Sequence, residues 1–153
     1  MQISIIAIGK MAKGPEKSLL ETYCKRLPWK IDVLEFEMKK KAANVAEQKA
    51  QEAEKLLAAV PDGAMVIALD ERGKALTSRG LAEQVDRWQM EGVRDIAFII
   101  GGADGLDETI RQKAHLKLAF GTLTWPHMLV RAMLAEQVYR VWSILHGHPY
   151  HRD

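Results

Sequence analysis

The end of the chain concentrates side chains that can do chemistry, namely His146, His148, Tyr150, His151 and Arg152. An imidazole exchanges protons near neutral pH, a phenol donates a hydrogen bond or stacks on a base, and a guanidinium stabilises an anion. Chain ends usually fray and carry little chemistry. The concentration therefore favours a functional tail, although a solvated end would have the same composition.

Glycine-bearing segments follow three of the predicted strands. A strand pattern that ends at Ile100 runs into Gly101–Gly105, and a backbone without Cβ can approach a ligand closely. The other two segments are 69–73 and 121–126. In parallel sheets ligands bind beyond the carboxyl ends of the strands, so these loops form a candidate site. Taken alone, the first segment is equally typical of a tight turn between a strand and a helix.

Three motifs together carry a family resemblance. GGADG, then TLTWPHMLVRAMLAEQVYR, then the terminal HPYHRD resemble the small ribosomal RNA methyltransferases of the SPOUT superfamily, and the similarity extends from MQISIIAIGK onward. The resemblance implies one α/β domain over residues 1–153, with a parallel sheet, helices on both faces and a C-terminal deep trefoil knot. It also implies a homodimer that uses S-adenosylmethionine to methylate N3 of a pseudouridine in large-subunit (23S) rRNA.

The resemblance also assigns roles to individual residues. Cofactor contacts fall on Leu69, Gly102, Gly121, Thr122, Leu123, Thr124, Trp125 and Pro126. Groups on the acceptor side are His127, Arg140, Tyr150, His151 and Arg152. An imide nitrogen becomes a good nucleophile only after losing its proton, which His151, His127 or an organised water would accept. Either arginine then stabilises the anion, and Tyr150 holds or stacks the base. In GGADG, Ala103 and Asp104 stand where relatives carry proline and glutamate, and the acid is kept.

Composition limits the partners that the chain can have. With 48% hydrophobic and 27% charged residues, 153 residues predict one soluble domain without a transmembrane helix. The start has no signal-peptide pattern and Cys24 has no cysteine partner, so we expect a cytoplasmic protein. The net charge of +2 is small for a binder of free RNA, despite the run Lys39–Lys41. We therefore expect it to recognise a shaped surface on an assembled ribosome.

Strand and helix patterns alternate along the chain. Strands are predicted over 2–8, 31–36, 64–69, 96–100 and 116–120, and helices over 15–27, 44–60, 78–91, 107–114 and 126–146. Two of the strands lack polar alternation, which indicates a parallel sheet covered on both faces. Asn44 and Ser78 are the predicted helix caps. The segment after the first strand, 9–14, matches neither a dinucleotide-binding nor a Walker A pattern, so ordinary NAD or ATP use is disfavoured.

The last predicted helix has apolar residues on two sides. One arc contains Val130, Leu134, Val138, Val141 and Leu145, and Leu129, Met133 and Ile144 lie toward the other side. A second apolar face suggests a dimer contact, whereas a fully buried central helix is the simpler explanation. The tail has little apolar material, so we expect it to order mainly against the partner subunit or the RNA.

Two alternatives remain open at this stage. A metal hydrolase could use His127, His146, His148 and His151, although most metal sites also need a supporting carboxylate and a rigid scaffold. A ribosome-binding assembly factor could use the same fold and basic loops without turnover. Transfer of a labelled methyl group to ribosomes distinguishes both from a methyltransferase.

Overall fold

Strands and helices alternate along the chain, as the sequence pattern predicts. The computed structural model describes residues 1–153. The strands are β1 (Gln2–Ile8), β2 (Lys30–Phe36), β3 (Met65–Ala75), β4 (Asp95–Ile100) and β5 (Leu116–Ala119). The helices are α1 (Pro15–Arg26), α2 (Val45–Ala58), α3 (Ser78–Met90), α4 (Glu108–Lys113) and α5 (His127–Leu145). None of the five helices combines the length and apolar character that a membrane-spanning segment requires.

All five strands form one parallel sheet in the order β2-β1-β4-β3-β5. Helices α1, α3 and α5 cover one face, and α2 and α4 cover the other, each over its own apolar cluster. The inner strands are buried on both faces, which is why β1 and β4 are almost continuous apolar runs. The predicted α/β parallel sheet is confirmed. The carboxyl ends of β3, β4 and β5 consequently lie side by side.

Strand β3 is longer than its apolar pattern predicts. The segment 69–73 was expected to be a loop, but β3 continues through it to Ala75, with a register shift between Leu69 and Lys74 against β5. Gly73 permits this path, since a Cβ there would lie 2.6 Å from the backbone carbonyl of Lys117. The candidate loop is therefore a bulged part of β3 that pairs with β5.

The structure confirms the predicted cap of α2 and corrects the predicted cap of α3. The side chain of Asn44 accepts a hydrogen bond from the backbone N–H of Glu47 at 2.8 Å, as predicted. The cap of α3, however, is Thr77, whose hydroxyl accepts from the N–H of Gly80 at 3.0 Å. Ser78 lies one residue inside the helix and donates to Gln137 of α5 at 2.6 Å. Its hydroxyl therefore joins two helices.

Helix α5 packs against both α1 and α3 and is the central helix of its face. In the predicted apolar arc, Leu134, Val138 and Val141 are buried, whereas Val130 and Leu145 are half-buried. The second set, Leu129, Met133 and Ile144, is also half-buried. Neighbouring helices of the same chain thus account for much of the apolar surface of α5.

Candidate functional site

A cleft of about 650 Å³ opens at the carboxyl ends of β3, β4 and β5. Its volume is within the range of small-molecule and cofactor sites. Most of the residues predicted to touch the cofactor line this cleft, namely Leu69, Gly102, Gly121, Leu123, Thr124 and Trp125. Thr122 and Pro126 belong to the same exposed loop but do not line the cleft. We call this space the cofactor cleft, after the cofactor contacts that the sequence predicts there.

The turn after β4 requires its glycines. Gly102 and Gly105 form an antiparallel bridge, and the N–H of Gly105 donates to the carbonyl of Gly102 at 3.1 Å. Gly105 has a φ of +84°, and a Cβ at Gly101 would lie 2.8 Å from Leu106. A Cβ at Gly102 would lie 2.9 Å from both carboxylate oxygens of Glu52. Gly102 therefore offers only backbone to a ligand, and a side chain added there would first displace Glu52.

The loop 121–126 forms the rim of the cofactor cleft. Gly121 has a φ of +89°, which starts the loop, and the indole N–H of Trp125 donates to the carbonyl of Phe120 at 2.9 Å. This bond closes the loop on itself. Leu123 at its tip is 71% exposed and is thus available to a ligand or a partner.

An ionised carboxylate lies in the wall of the cleft. Asp70 accepts a hydrogen bond from the N–H of Arg72 at 2.9 Å and another from the guanidinium of Arg111. Burial opposes ionisation of Asp70, but these two donors outweigh it and lower the pKa of the carboxyl. Asp70 therefore fixes the bulged part of β3 against α4.

His127 is bound on both ring nitrogens. Its Nε2 hydrogen-bonds the carbonyl of Gly101, and its Nδ1 lies 3.3 Å from a guanidinium nitrogen of Arg131. A guanidinium only donates and a carbonyl only accepts, so Nδ1 is the acceptor and Nε2 carries the proton. In this arrangement neither nitrogen has a free lone pair. His127 thus fixes the turn after β4, and the structure does not favour the predicted alternative of His127 as the base.

Arg131 is a buried residue whose structural role the sequence did not reveal. It is fully buried and donates to the carbonyls of Ile8 and Gly9, at 2.6 and 2.7 Å, and to the carboxylate of Glu35. Burial lowers the pKa of its guanidinium, and Glu35 opposes that shift. The sequence signal for its burial was a single arginine in an otherwise apolar stretch, four residues after His127. Arg131 ties α5 to the ends of β1 and β2.

Three of the predicted acceptor-side groups, Arg140, Tyr150 and His151, form a separate cluster around Glu136. Its carboxylate accepts from the hydroxyl of Tyr150 at 2.8 Å and from Arg140 at 3.0 Å. The Arg140 guanidinium also lies 4.8 Å from the centre of the Tyr150 ring and 3.2 Å from Nδ1 of His151. Burial, followed by the hydrogen bonds to Tyr23 and Glu136, raises the pKa of the Tyr150 phenol well above its usual value. The hydroxyl is therefore a donor and not a base.

The tail is ordered against its own chain, which corrects the expectation that it needs a partner or RNA. The ring centroids of Tyr150 and Tyr139 are 4.7 Å apart, and Tyr150 also packs edge-on against Tyr23. His151 contacts Asp153 at 3.0 Å, and Asp153 pairs with Arg79 of α3. Aromatic packing and charge pairing thus order the tail, although it contains few aliphatic residues.

The structure divides the predicted site into two groups. His127 lies at the cofactor cleft, whereas Arg140, Tyr150 and His151 do not line it. Arg152 is exposed and makes no side-chain hydrogen bond or ion pair within the chain. A single copy of the chain therefore does not bring the tail to its own cleft.

The four histidines of the metal-hydrolase alternative do not converge. His127 begins α5 and His146 follows its end, so that the helix separates them by about 28 Å. His146 stacks on Trp142. The chain contains no group of three or more His, Cys, Asp or Glu side chains arranged to hold a metal ion.

Comparison with known proteins decides the family. A family model described as predicted SPOUT methyltransferase matches residues 1–151. The chain belongs to this family. The SPOUT fold predicted from the resemblance is thereby confirmed, and the trefoil knot goes with membership of the family.

Curated relatives match almost the entire chain. A protein of Rhodospirillum centenum is 52% identical over 152 residues, and one of Paramagnetospirillum magneticum is 50% identical. Each alignment covers 99% of both chains, and both relatives are named ribosomal RNA large subunit methyltransferase H. A solved structure of a probable methylase family protein from Haemophilus influenzae has a TM-score of 0.57 at 14% identity. It covers 99% of this chain and 70% of that one, and it supports the fold alone.

Proposed function

We propose that this protein transfers a methyl group from S-adenosylmethionine to N3 of a pseudouridine in large-subunit (23S) rRNA. The observation that carries the proposal is a cleft bounded by two glycine-bearing loops in a chain of the SPOUT methyltransferase family. The choice of RNA as substrate rests on the names of relatives that are about 50% identical to this chain over their full length. The target base and the position of the methyl group rest on the resemblance.

The cofactor cleft combines apolar and polar walls, as a nucleoside site requires. Its wall contains apolar side chains, including Leu69 and Val130, and the exposed backbone of Gly102. It also contains three carboxylates and two basic side chains, which are Asp70, Glu71, Asp104, Lys49 and Arg72. Asp70 is paired with Arg111, so the remaining two carboxylates and two basic side chains balance, and the apolar and backbone surfaces are what suit the cofactor. When bound, S-adenosylmethionine supplies an electrophilic methyl group, and the loop 121–126 would exclude water from it.

The cluster around Glu136 supplies the acceptor-side chemistry. Arg140 lies against both the Tyr150 ring and His151, so a guanidinium, an aromatic surface and an imidazole are close together. The guanidinium would stabilise the anion that forms when N3 loses its proton, as would the free Arg152. His151 would accept that proton once RNA displaces Arg140 from its Nδ1. Tyr150 would position the base by stacking.

A homodimer would bring the two groups together. The tail of one copy does not line its own cofactor cleft, so we propose that it faces the cleft of a second copy. The half-buried Leu129, Met133 and Ile144 of α5 would contribute to the contact. With a net charge of +2, the protein would recognise assembled cytoplasmic ribosomes better than naked rRNA.

Transfer of tritium from labelled S-adenosylmethionine tests the proposal. Ribosomes should gain one methyl group each at the pseudouridine, and naked 23S rRNA should be a poorer substrate. Ribosomes that carry uridine at the target position are the matched control and should remain unlabelled. Tight binding to ribosomes without any transfer would contradict the proposal and support an assembly factor.

A further inference from the structure

A second cleft, of about 700 Å³, lies on the other side of the turn after β4. It shares the segment Gly102–Asp104 and His127 with the cofactor cleft. Its remaining walls are the carboxyl end of β1, the first turns of α2 and the segment 38–44. The chain connection reverses direction between β1 and β4, and crevices at such points are common ligand sites in α/β sheets.

Glu52 of α2 lines this second cleft with a carboxylate that lacks a full set of partners. The residue is only 5% exposed, and Oε1 accepts no hydrogen bond. Oε2 accepts one long bond, of 3.4 Å, from the amide nitrogen of Gln48. A buried acceptor without a donor is destabilising, so its presence calls for a donor that the folded chain does not itself contain.

The orientation of Gln48 is fixed by the loop before α2. Its side-chain carbonyl accepts from the backbone N–H of Ala42 at 3.1 Å, which directs the amide NH₂ group toward Glu52. One of the two N–H groups bonds Glu52, and the other remains free. Gln48 therefore offers one N–H donor, and the two carboxylate oxygens of Glu52 beside it offer two acceptors.

Guanine has the complementary edge. It presents the O6 acceptor beside the N1–H and N2–H donors, whereas adenine, cytosine and uracil each place at least one acceptor against a carboxylate. The rim of the cleft carries the exposed Lys40 and Lys41, which repel a simple cation and attract phosphate. A ligand with N–H donors at one end and a phosphate at the other is a nucleotide.

We propose that the second cleft binds a guanosine of the RNA substrate, with Gln48 and Glu52 on the base and Lys40 and Lys41 on the phosphates. Oε1 is covered in the structure, so the carboxylate must rotate toward the cleft to receive the base. The proposal rests on the proposed function only in taking RNA as the substrate. The shared segment Gly102–Asp104 would hold the guanosine and the cofactor on opposite sides of one turn.

Binding of short RNA tests this proposal without cofactor or turnover. We would measure fluorescence anisotropy with single-stranded pentamers of uridine whose central base is guanine, hypoxanthine, adenine or uracil. The wild type should bind the guanine pentamer about tenfold more tightly than the adenine or uracil pentamer, with hypoxanthine between them. Glu52→Gln should abolish the preference, and Glu54→Gln, the same change on the exposed face of α2, should keep it.

Further variants separate the parts of the proposal. The double variant Lys40→Ala, Lys41→Ala should weaken binding of all four pentamers alike, whereas Lys55→Ala, at an exposed position of α2, should not. If Glu52→Gln unfolds, Gln48→Glu provides the second test, since it removes the donor to O6 and should also abolish the preference. Equal binding of all four pentamers by the wild type would overturn the guanosine assignment. Guanosine monophosphate that binds as tightly as the pentamer would overturn the RNA assignment.

The outcome is independent of methyl transfer. A guanine preference that depends on Glu52, in a protein that never labels ribosomes, would support this site and refute the proposed function. Methyl transfer to ribosomes by a protein that shows no guanine preference would support the proposed function and refute this site.

Discussion

Arg131 donates a hydrogen bond to Nδ1 of His127, one helical turn earlier on α5, with the two nitrogens 3.3 Å apart. The bond fixes the tautomer of His127, whose Nε2–H then holds the carbonyl of Gly101. The buried guanidinium of Arg131 thus holds the turn that separates the two clefts, and it does so indirectly, through the imidazole of His127.

Replacing Arg131 should strongly destabilise the fold. Arg131→Met leaves the carbonyls of Ile8 and Gly9 without their donor and the Glu35 carboxylate without its charge partner. We expect a loss of about 3–5 kcal/mol in the free energy of unfolding, measured by urea denaturation. Arg72→Met is the control, since that side chain is 61% exposed and should change stability by less than about 0.5 kcal/mol. If Arg131→Met lowered the free energy of unfolding as little as Arg72→Met does, the buried network would contribute little to stability.

The Asp70 carboxylate should make stability depend on pH. Its pKa is lowered in the folded state, so its contribution is fully present above the ordinary carboxyl value of about 3.9. That contribution disappears as the pH falls through the lower, folded value. Asp70→Asn should cost about 1–2 kcal/mol at pH 7 and progressively less as the pH falls below about 3.9, in parallel urea titrations. Asp62→Asn, in an exposed turn, should cost little at any pH in this range. A constant difference across the pH range would contradict the assignment.

The tail should affect stability and activity through different residues. Deleting 149–153 removes Tyr150 from its contacts with Tyr23 and Tyr139 and should lower stability by about 1–3 kcal/mol. A deletion therefore does not isolate the chemistry. His151→Gln keeps the aromatic packing, and methyl transfer to ribosomes should fall about 100-fold or more while the unfolding midpoint stays nearly unchanged. Retention of the full rate would remove His151 from the acceptor side.

A shared active site predicts complementation between two inactive variants. Val130→Phe fills the cofactor cleft, and His151→Gln removes the proposed proton acceptor of the tail. After subunit exchange, a mixture of equal amounts should recover about one quarter of the wild-type sites, because half of the dimers carry one intact cleft facing one intact tail. Met90→Phe, on an exposed position, is the control for the added ring and should stay active. Light scattering that gives 17.2 kDa, the mass of one chain, would contradict the dimer.

The elements of the fold were predictable because each has a strong local signal. Continuous apolar runs indicate β1 and β4, and Asn44 fixes the start of α2 through a bond within one helical turn. The continuation of β3 beyond Leu69 was not predictable, since it depends on how closely β5 approaches at Gly73. Periodicity within one segment carries no information about such an approach.

The candidate site was predictable in part for the same reason. Glycines after strands indicated the turn Gly101–Gly105 and the loop 121–126, and both line the cofactor cleft. The burial of Arg131 was missed because its partners are carbonyls and a carboxylate from the other end of the chain. Hydrogen bonds across such a distance leave no pattern in the neighbouring residues.

The bonds from Arg131 to Ile8 and Gly9 join residues 123 and 122 positions apart. During synthesis the first strand leaves the ribosome long before the helix that completes its carboxyl end. The bonds between Arg131 and the carboxyl end of β1 can therefore form only after nearly the whole chain has emerged. Contacts of such long range are formed slowly, so maturation of this enzyme is expected to be limited by the arrival of α5 and not by its individual helices.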